Sequence, residues 1–418
     1  MAHVSNPSLH ELELALETPH NIGRAQDLID ALKSPNIELS REEEVQLMFL
    51  EGACKAIQKD PAAEALLARA IKLSPSNTKA WNALAELLWN QGNLEAARDC
   101  FTCCLEHKRD KKVLRNLSML LRKIGTSEQE KLENADESLK LAKEAVALDY
   151  DDGESWYVVG NTYLARFFAV SHNPEDLDLA LKAYRRSESL EPEKLRENCE
   201  GVLSPSKPRN PDLYFNRAQV LGYLERFSDA IQDYKVAEEL DPSLDAKTSI
   251  DAITRRVAAS AELITKKGHV KAKRLAGLVA SLGATIEDDV VLQSSVINGL
   301  SKASALNELE YGENKGIRLD VCFVMPLVRT MEQPVSLLVV DRQGHMFGVS
   351  VYNLNPSVLT RIRSDRDRLT LVAPRRDRVS LGAHAYDLVH LEHPVQLYLN
   401  GLSLASSVAR VAFSSTSK

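Results

Sequence analysis

Few residues in this chain have the types and spacing that chemistry demands. Cys100, Cys103 and Cys104 lie close enough together to suggest a metal or redox site. No second cysteine or histidine pair follows at zinc spacing, so core packing is the reading their placement favours. His384, His390 and His393 alternate along or near predicted strands and read as ordinary sheet residues. There is no Gly-rich phosphate loop, no Gly-x-Ser-x-Gly and no His-Glu-x-x-His. The expectation is no enzyme, no cofactor and no metal. What remains is recognition chemistry. Asn82, Asn161 and Asn216 each offer a donor and an acceptor to a peptide backbone. Arg122 presents a fork for a carboxylate, and Asp212 suits an amine or guanidinium. The same side chains read equally as a solvated polar face.

A repeat of about 34 residues positions these side chains. Thr78 to Lys111 holds Trp81, Leu84, Ala85, Leu88, Gly92, Ala97, Phe101 and Cys104, at positions 4, 7, 8, 11, 15, 20, 24 and 27 of the unit. That pattern resembles the tetratricopeptide repeat, a helical hairpin with small residues where the two helices cross. Pro211 to Leu244 repeats it with Tyr214, Ala218, Leu221, Ala230, Tyr234, Ala237 and Pro242. Degenerate units carry Ala63, Leu67, Ala70 and Pro75; Leu114, Leu117, Ser118 and Leu121; and Trp156, Gly160, Tyr163, Ala180, Tyr184 and Pro192. Gly125 to Glu137 reads as a polar loop, and an insertion is expected around Val170 to Glu175. Such repeats stack into a right-handed superhelix whose first helices line a concave groove. Positions 2, 5, 6, 9, 12 and 13 face that groove, because 4, 7, 8 and 11 are used in packing.

After the repeats, Ala246 to Leu282 reads as two capping helices broken near Lys267-Gly268. Their basic residues, Arg255, Arg256, Lys266, Lys267, Lys271, Lys273 and Arg274 among them, form either a solvated face or a surface for an anionic partner. Strand patterns then take over: Val321–Val324, Val335–Val340, Met346–Tyr352, Arg368–Val372, Ala385–Leu391 and Val395–Leu399. A small antiparallel barrel of five or six strands, an OB-fold, fits this length. The predicted order is a helical segment 1–43, a repeat array 44–244, capping helices 245–284 and an OB-fold domain 285–418. In class terms this is an all-α tetratricopeptide-repeat superhelix followed by an all-β OB-fold barrel.

Composition limits the partners. The chain has 418 residues, 44% of them hydrophobic and 27% charged, a globular balance. Residues 245–418 carry 22 basic and 17 acidic side chains, leaving 30 and 42 in residues 1–244. So acidic an N-terminal half does not suit nucleic acid, whereas the C-terminal half has the charge to meet phosphate locally. Arg361, Arg363, Arg366, Arg368, Arg375, Arg376 and Arg378, interleaved with Asp365, Asp367 and Asp377, read as solubilising loops or as contacts to phosphate. No run of about 18 apolar residues occurs, so no membrane-spanning helix is expected. No basic-then-apolar leader is seen, and six unevenly placed cysteines do not make a disulfide framework. A reducing compartment follows.

Three stretches are more specific than the generic repeat: Asn116-Leu-Ser-Met119-x-x-Arg122, Ser155-Trp-Tyr-Val-Val-Gly-Asn161, and Asn210-Pro-Asp212-Leu-Tyr-Phe-Asn216-Arg217. With Val351-Tyr-Asn353 and Leu399-Asn-Gly401 further on, they resemble the tetratricopeptide repeat protein five family. The resemblance implies a ribosome-associated adaptor that reads the nascent N-terminus of α- and β-tubulin, a Met-Arg-Glu-x start, and triggers decay of tubulin messenger RNA. It carries peptide-binding roles to Arg122, Asn161, Asp212 and Asn216, and a ribosome-facing basic pair to Arg69 and Lys72. The acidic family residue just after the last repeat has only Asp245 nearby, one place off. The family's other name, a stress-responsive activator of a histone acetyltransferase coactivator, implies a nuclear coactivator scaffold as the alternative. Cytoplasm and nucleus are the expected locations.

Overall fold

Helix caps set the architecture. Asn77, Asn93 and Asp110 accept hydrogen bonds from backbone amides in the first turns of three successive helices, supplying partners to donors that no intrahelical carbonyl reaches. The computed structural model describes residues 8–16, 21–35, 37–190, 209–283, 299–328, 334–363 and 367–406. It divides into two units, Met1–Ala165 and Arg166–Lys418.

The first unit is helical: α1 (Leu9–Leu16), α2 (Ile22–Leu32), α3 (Arg41–Ile57), α4 (Ala62–Leu73), α5 (Thr78–Asn90), α6 (Leu94–His107), α7 (Lys111–Leu121), α8 (Glu128–Leu148) and α9 (Gly153–Arg166), whose last residue lies past the division. Helices α3 with α4, α5 with α6 and α7 with α8 pack as hairpins. Ala63, Ala70, Ala85, Ala97 and Cys104 are fully buried at the crossings, as the repeat requires. Trp81 and Trp156, both at repeat position 4, each donate an indole N–H to the carbonyl six residues earlier, at 2.8 and 2.9 Å. Gly92, at position 15, turns the chain between α5 and α6 at φ 84°, a conformation in which a Cβ is strained.

One sequence expectation fails here. The polar stretch Gly125–Glu137 is helix from Glu128 onward. Ser127 and Glu130 form a capping box, and Asn134 Nδ2 bonds the Ile124 carbonyl at 3.0 Å. Capping, and continuity with the buried face from Ser138 to Val146 of the same helix, outweigh the surface polarity of this segment. Ser127→Ala is expected to cost about 1 kcal/mol of stability, read as a lower urea midpoint at unchanged slope.

The second unit joins helices to a sheet. Helices α10 (Pro174–Ser189), α11 (Pro211–Tyr223), α12 (Phe227–Leu240), α13 (Ala246–Thr265) and α14 (Ala272–Gly283) precede the strands. The strands are β1 (Ser301–Ala303), β2 (Gly312–Glu313), β3 (Ile317–Pro326), β4 (Val335–Val340), β5 (Met346–Val351), β6 (Arg368–Val372), β7 (Arg375–Leu381), β8 (His384–Leu391), β9 (Leu397–Leu399) and β10 (Leu402–Ser403). They form one sheet in the order β10-β9-β6-β3-β4-β5-β8-β7-β2, with β1 on β3. Leu319, Val321, Leu337, Val339, Phe347, Val349, Leu369 and Leu371 fill its inner face.

The break at Lys267-Gly268 is present, with Gly268 at φ 59°. A Cβ there would lie 2.9 Å from Leu338 Cδ2, so the glycine lets the helix pair fold onto the sheet. Helix α14 packs on β3, and α13 packs on α12, β5, β7 and β8. These helices therefore bracket the last repeat against the sheet rather than only capping a solenoid. The expected β domain is present, but its sheet is not wholly antiparallel, because β5–β8 and β1–β3 pair in parallel, and β7 forms where the sequence reads as loop. Arginine-rich β7 forms because Arg376 donates to the Leu306 and Leu309 carbonyls at 3.1 and 2.8 Å.

Candidate functional site

In the first unit, the groove asparagines are tied to one another. Asn116 Nδ2 donates to Asn82 Oδ1 at 3.3 Å and to Glu86 Oε1 at 2.8 Å, and Asn82 Nδ2 donates to Glu86 Oε1 at 2.9 Å. Two equivalent amides of neighbouring repeats thus share one carboxylate, which uses capacity the sequence reading assigned to a peptide backbone. Arg115 is likewise consumed, buried between Asp152 and Glu154. Burial alone would raise Asp152, but the Ser155 hydroxyl and the Arg115 charge hold it below its usual value.

Arg122 caps the C-terminus of α7 and is partly exposed, a place where the helix dipole favours a cation. Asn161 sits in α9 at 9% exposure. Arg69 and Lys72 lie one turn apart on α4, both exposed, and so present a single basic patch.

In the second unit, α11 presents Asp212 and Asn216 four residues apart, on one face. The Asn-Pro-Asp stretch has a structural half: Asn210 is the cap, accepting from Asp212 N at 3.0 Å, and Pro211 opens the helix. Partial burial, with Asp241 nearby, pushes the Asp212 carboxyl up. No ion pair to a described residue relieves it, and a cation brought to this carboxylate would. Arg217, next to Asn216, is spent inside the fold. It forks onto Asp233 at 2.6 and 2.8 Å and also pairs with Glu188.

Comparison with known proteins places this geometry. The model of the tetratricopeptide repeat protein 5 OB fold domain matches residues 301–413, and two tetratricopeptide repeat models match 61–110 and 211–244. Tetratricopeptide repeat protein 5 of Homo sapiens is 31% identical over 410 residues, covering 93% of this chain and 89% of the human protein. The chain belongs to the tetratricopeptide repeat protein 5 family. The Bos taurus and Mus musculus proteins of that name are 31% and 30% identical, covering 87% and 88% of this chain and 81% and 83% of their own lengths. Membership supports an adaptor built for protein binding, with tetratricopeptide repeats followed by an OB-fold. No helix among the described residues is long and apolar enough to cross a membrane.

The second unit of this family member also shows which C-terminal arginines are available. Arg368 bonds the Ser281 carbonyl, Arg376 donates to two carbonyls, and Arg375 pairs with Asp377 at 2.9 Å. Arg361 and Arg363 are exposed, while Asp365 and Arg366 lie outside the described residues. Deleting 285–418 would strip the cover from Val257, Ala261, Leu278 and Leu282. Paired substitution of Arg361 and Arg363 is therefore the cleaner probe of phosphate contact.

The cysteines behave as core. Cys104 is fully buried, and burial pushes the Cys100 and Cys104 thiols up to about 11. Roughly one in a thousand is thiolate at pH 8. Iodoacetamide at that pH is expected to leave Cys104 unlabelled by mass spectrometry in the native chain and to label it in urea. Native labelling at the urea rate would show the crossing to be open.

Sequence reasoning gave Glu225 no role, took His390 as an ordinary sheet residue and met Tyr352 and Asn353 only within a motif; all four converge on one cleft of the second unit. A signal existed at Glu225. It holds position 15 of its repeat, where Thr78–Lys111 has Gly92, and it takes the same left-handed backbone at φ 58°.

Proposed function

We propose that this chain is a ribosome-associated adaptor that recognises the nascent N-terminus of α- and β-tubulin and triggers co-translational decay of tubulin messenger RNA. Family membership carries the reading, and the Asp212 carboxylate is the observation that fits it best: raised by burial and Asp241, it suits the amine or arginine of a Met-Arg-Glu start. Asn216 lies one turn further on the same helix, positioned for the peptide backbone. Arg122 supplies a charge for the peptide glutamate, and Asn161 a further amide. Arg69 and Lys72 meet ribosomal RNA phosphate from α4, with Arg361 and Arg363 as a second anchor. The activity belongs in the cytoplasm, where tubulin is translated.

Separation of function tests it. Arg69→Glu with Lys72→Glu is expected to abolish co-sedimentation with ribosomes while peptide affinity stays within twofold of wild type, because the pair stands on a different helix from every peptide-binding residue. Co-sedimentation should also fall steeply with salt, since phosphate contacts release counterions. If neither salt nor charge reversal reduces ribosome binding, α4 is not the contact. If the chain binds no Met-Arg-Glu-Ile peptide, the nuclear coactivator scaffold becomes the better reading.

A further inference from the structure

A cleft of about 360 Å3 in the second unit is lined by groups the adaptor role does not use. Phe167, Tyr223 and Tyr352 contribute a run of aromatic rings, with centroids 5.3 Å apart at each step. Beside them lie Glu225, with a side chain 3% exposed, and Asn353, fully buried. Arg256 occupies one oxygen of the Glu225 carboxylate, and the other, Oε2, accepts no hydrogen bond. Asn353 donates its amide to the His172 carbonyl at 2.9 Å, and its Oδ1 accepts nothing. Two buried acceptors of the cleft's residues thus accept no hydrogen bond, and the Tyr223 hydroxyl of the same cleft is unpartnered as well.

His390 does not supply the missing donor. Its Nε2 lies 3.5 Å from Asp377, and its Nδ1 is 3.3 Å from the Tyr352 hydroxyl and 3.5 Å from Glu225 Oε2. Burial outweighs the neighbouring carboxylates and lowers the imidazole's pKa. The Nδ1 contact is made to the Tyr352 hydroxyl, and no hydrogen bond forms to Glu225 Oε2. The cleft's arginines are also engaged: Arg375 with Asp377, Arg226 with Asp229, and Arg378 with the Tyr311 hydroxyl. Backbone conformation points to the same place. Glu225, Asn353 and His172 all hold left-handed φ, at 58°, 56° and 47°, and such strain collects at ligand sites.

We propose that this cleft is a binding site for an alkylguanidinium group, which places its plane among the aromatic rings and donates N–H to Glu225 Oε2 and Asn353 Oδ1. A guanidinium is flat, weakly hydrated, permanently charged and rich in donors. It supplies N–H donors to these two acceptors, a charge to set against the Glu225 carboxylate, and a flat face that tolerates aromatic contact. The group has two sources, a free small molecule or an arginine side chain presented by a protein segment.

Calorimetry on the full chain separates these. Agmatine represents the free ligand, N-acetylarginine N-methylamide the presented side chain, and N-acetylcitrulline N-methylamide the neutral isostere. One or both cations are expected to bind about tenfold or more tighter than citrulline, since the charge-assisted bond to Glu225 is lost with the charge. The tighter of the two cations identifies the source. Glu225→Gln, which keeps shape and removes the charge, should bring the cations down to the citrulline level. Because that variant also weakens the bond to Arg256, a measurement on the native chain stands beside it. Agmatine should move the His390 imidazole resonances while those of His10 and His107, which lie outside this cleft, stay fixed. Citrulline binding as well as arginine, no binding of either cation below about 10 mM, or a still His390 signal would each overturn the assignment.

Discussion

Replacing Arg217 by alanine is expected to destabilise the second unit by about 3–5 kcal/mol, the scale for stripping one partner from a buried ion pair. Arg217 is 11% exposed and Asp233 10%, so the remaining carboxylate has little water to turn to. The guanidinium also lies over the Tyr214 ring, 5.3 Å from its centroid. In a unit of this size the loss reads as a fall in melting temperature of roughly 6–20 °C. The double variant Arg217→Met with Asp233→Leu should recover much of it, since the buried Asp233 charge leaves with its partner and the Glu188 carboxylate, which also loses Arg217, is 36% exposed to water. An unchanged melting point in Arg217→Ala would show that the pair contributes nothing.

Acid should reveal the same cluster. Burial alone would raise Glu188, but the hydrogen bond and charge of Arg217 hold it below its ordinary value of 4.5. A carboxylate lowered on folding adds stability that is present above its unfolded value and disappears as pH falls through the folded one. Wild-type stability should therefore drop below about pH 4.5, and Arg217→Ala should flatten that slope.

Arg122→Ala is expected to weaken binding of a Met-Arg-Glu-Ile peptide by about 1.5–3 kcal/mol, on the order of ten- to 150-fold, if Arg122 meets the peptide glutamate through a charge-assisted bond. Fluorescence anisotropy measures this directly. A Met-Arg-Gln-Ile peptide completes the cycle: it should bind wild type weakly, and Arg122→Ala should discriminate little between the two peptides. Equal losses on both peptides would place Arg122 outside contact with the glutamate. Asp212→Asn gives the complementary loss when the peptide arginine is replaced by citrulline or its amine is acetylated, which settles which cation Asp212 holds.

The sequence by itself determined the repeats, because a helical hairpin with fixed crossing points has a local signature. Ala63, Ala70, Ala97 and Cys104 must be small wherever two helices touch, and a 34-residue spacing writes that requirement into the chain. The break at Gly268 was legible for a similar reason, since left-handed backbone restricts the residue type. Element type failed where tertiary contacts overrode polarity. Glu128–Glu137 is helix because its start is capped and it runs on into the buried stretch Ser138–Val146, and Arg375–Leu381 is strand because Arg376 finds buried carbonyls.

Site residues divide along the same line. The placement of Asp212 in the first turn of α11, behind the Asn210 cap, was readable from its motif. The engagement of Asn82, Asn116 and Arg115 with Glu86, Asp152 and Glu154 was not, since spacing says which face a side chain is on and nothing of who meets it there. Glu225 and Asn353 are 128 positions apart in the chain. Their unsatisfied oxygens line one cleft only because α13 folds the last repeat against β5 and β8. A local sequence pattern encodes conformation and burial; which buried acceptor is left without a donor is fixed only when distant elements close on one another.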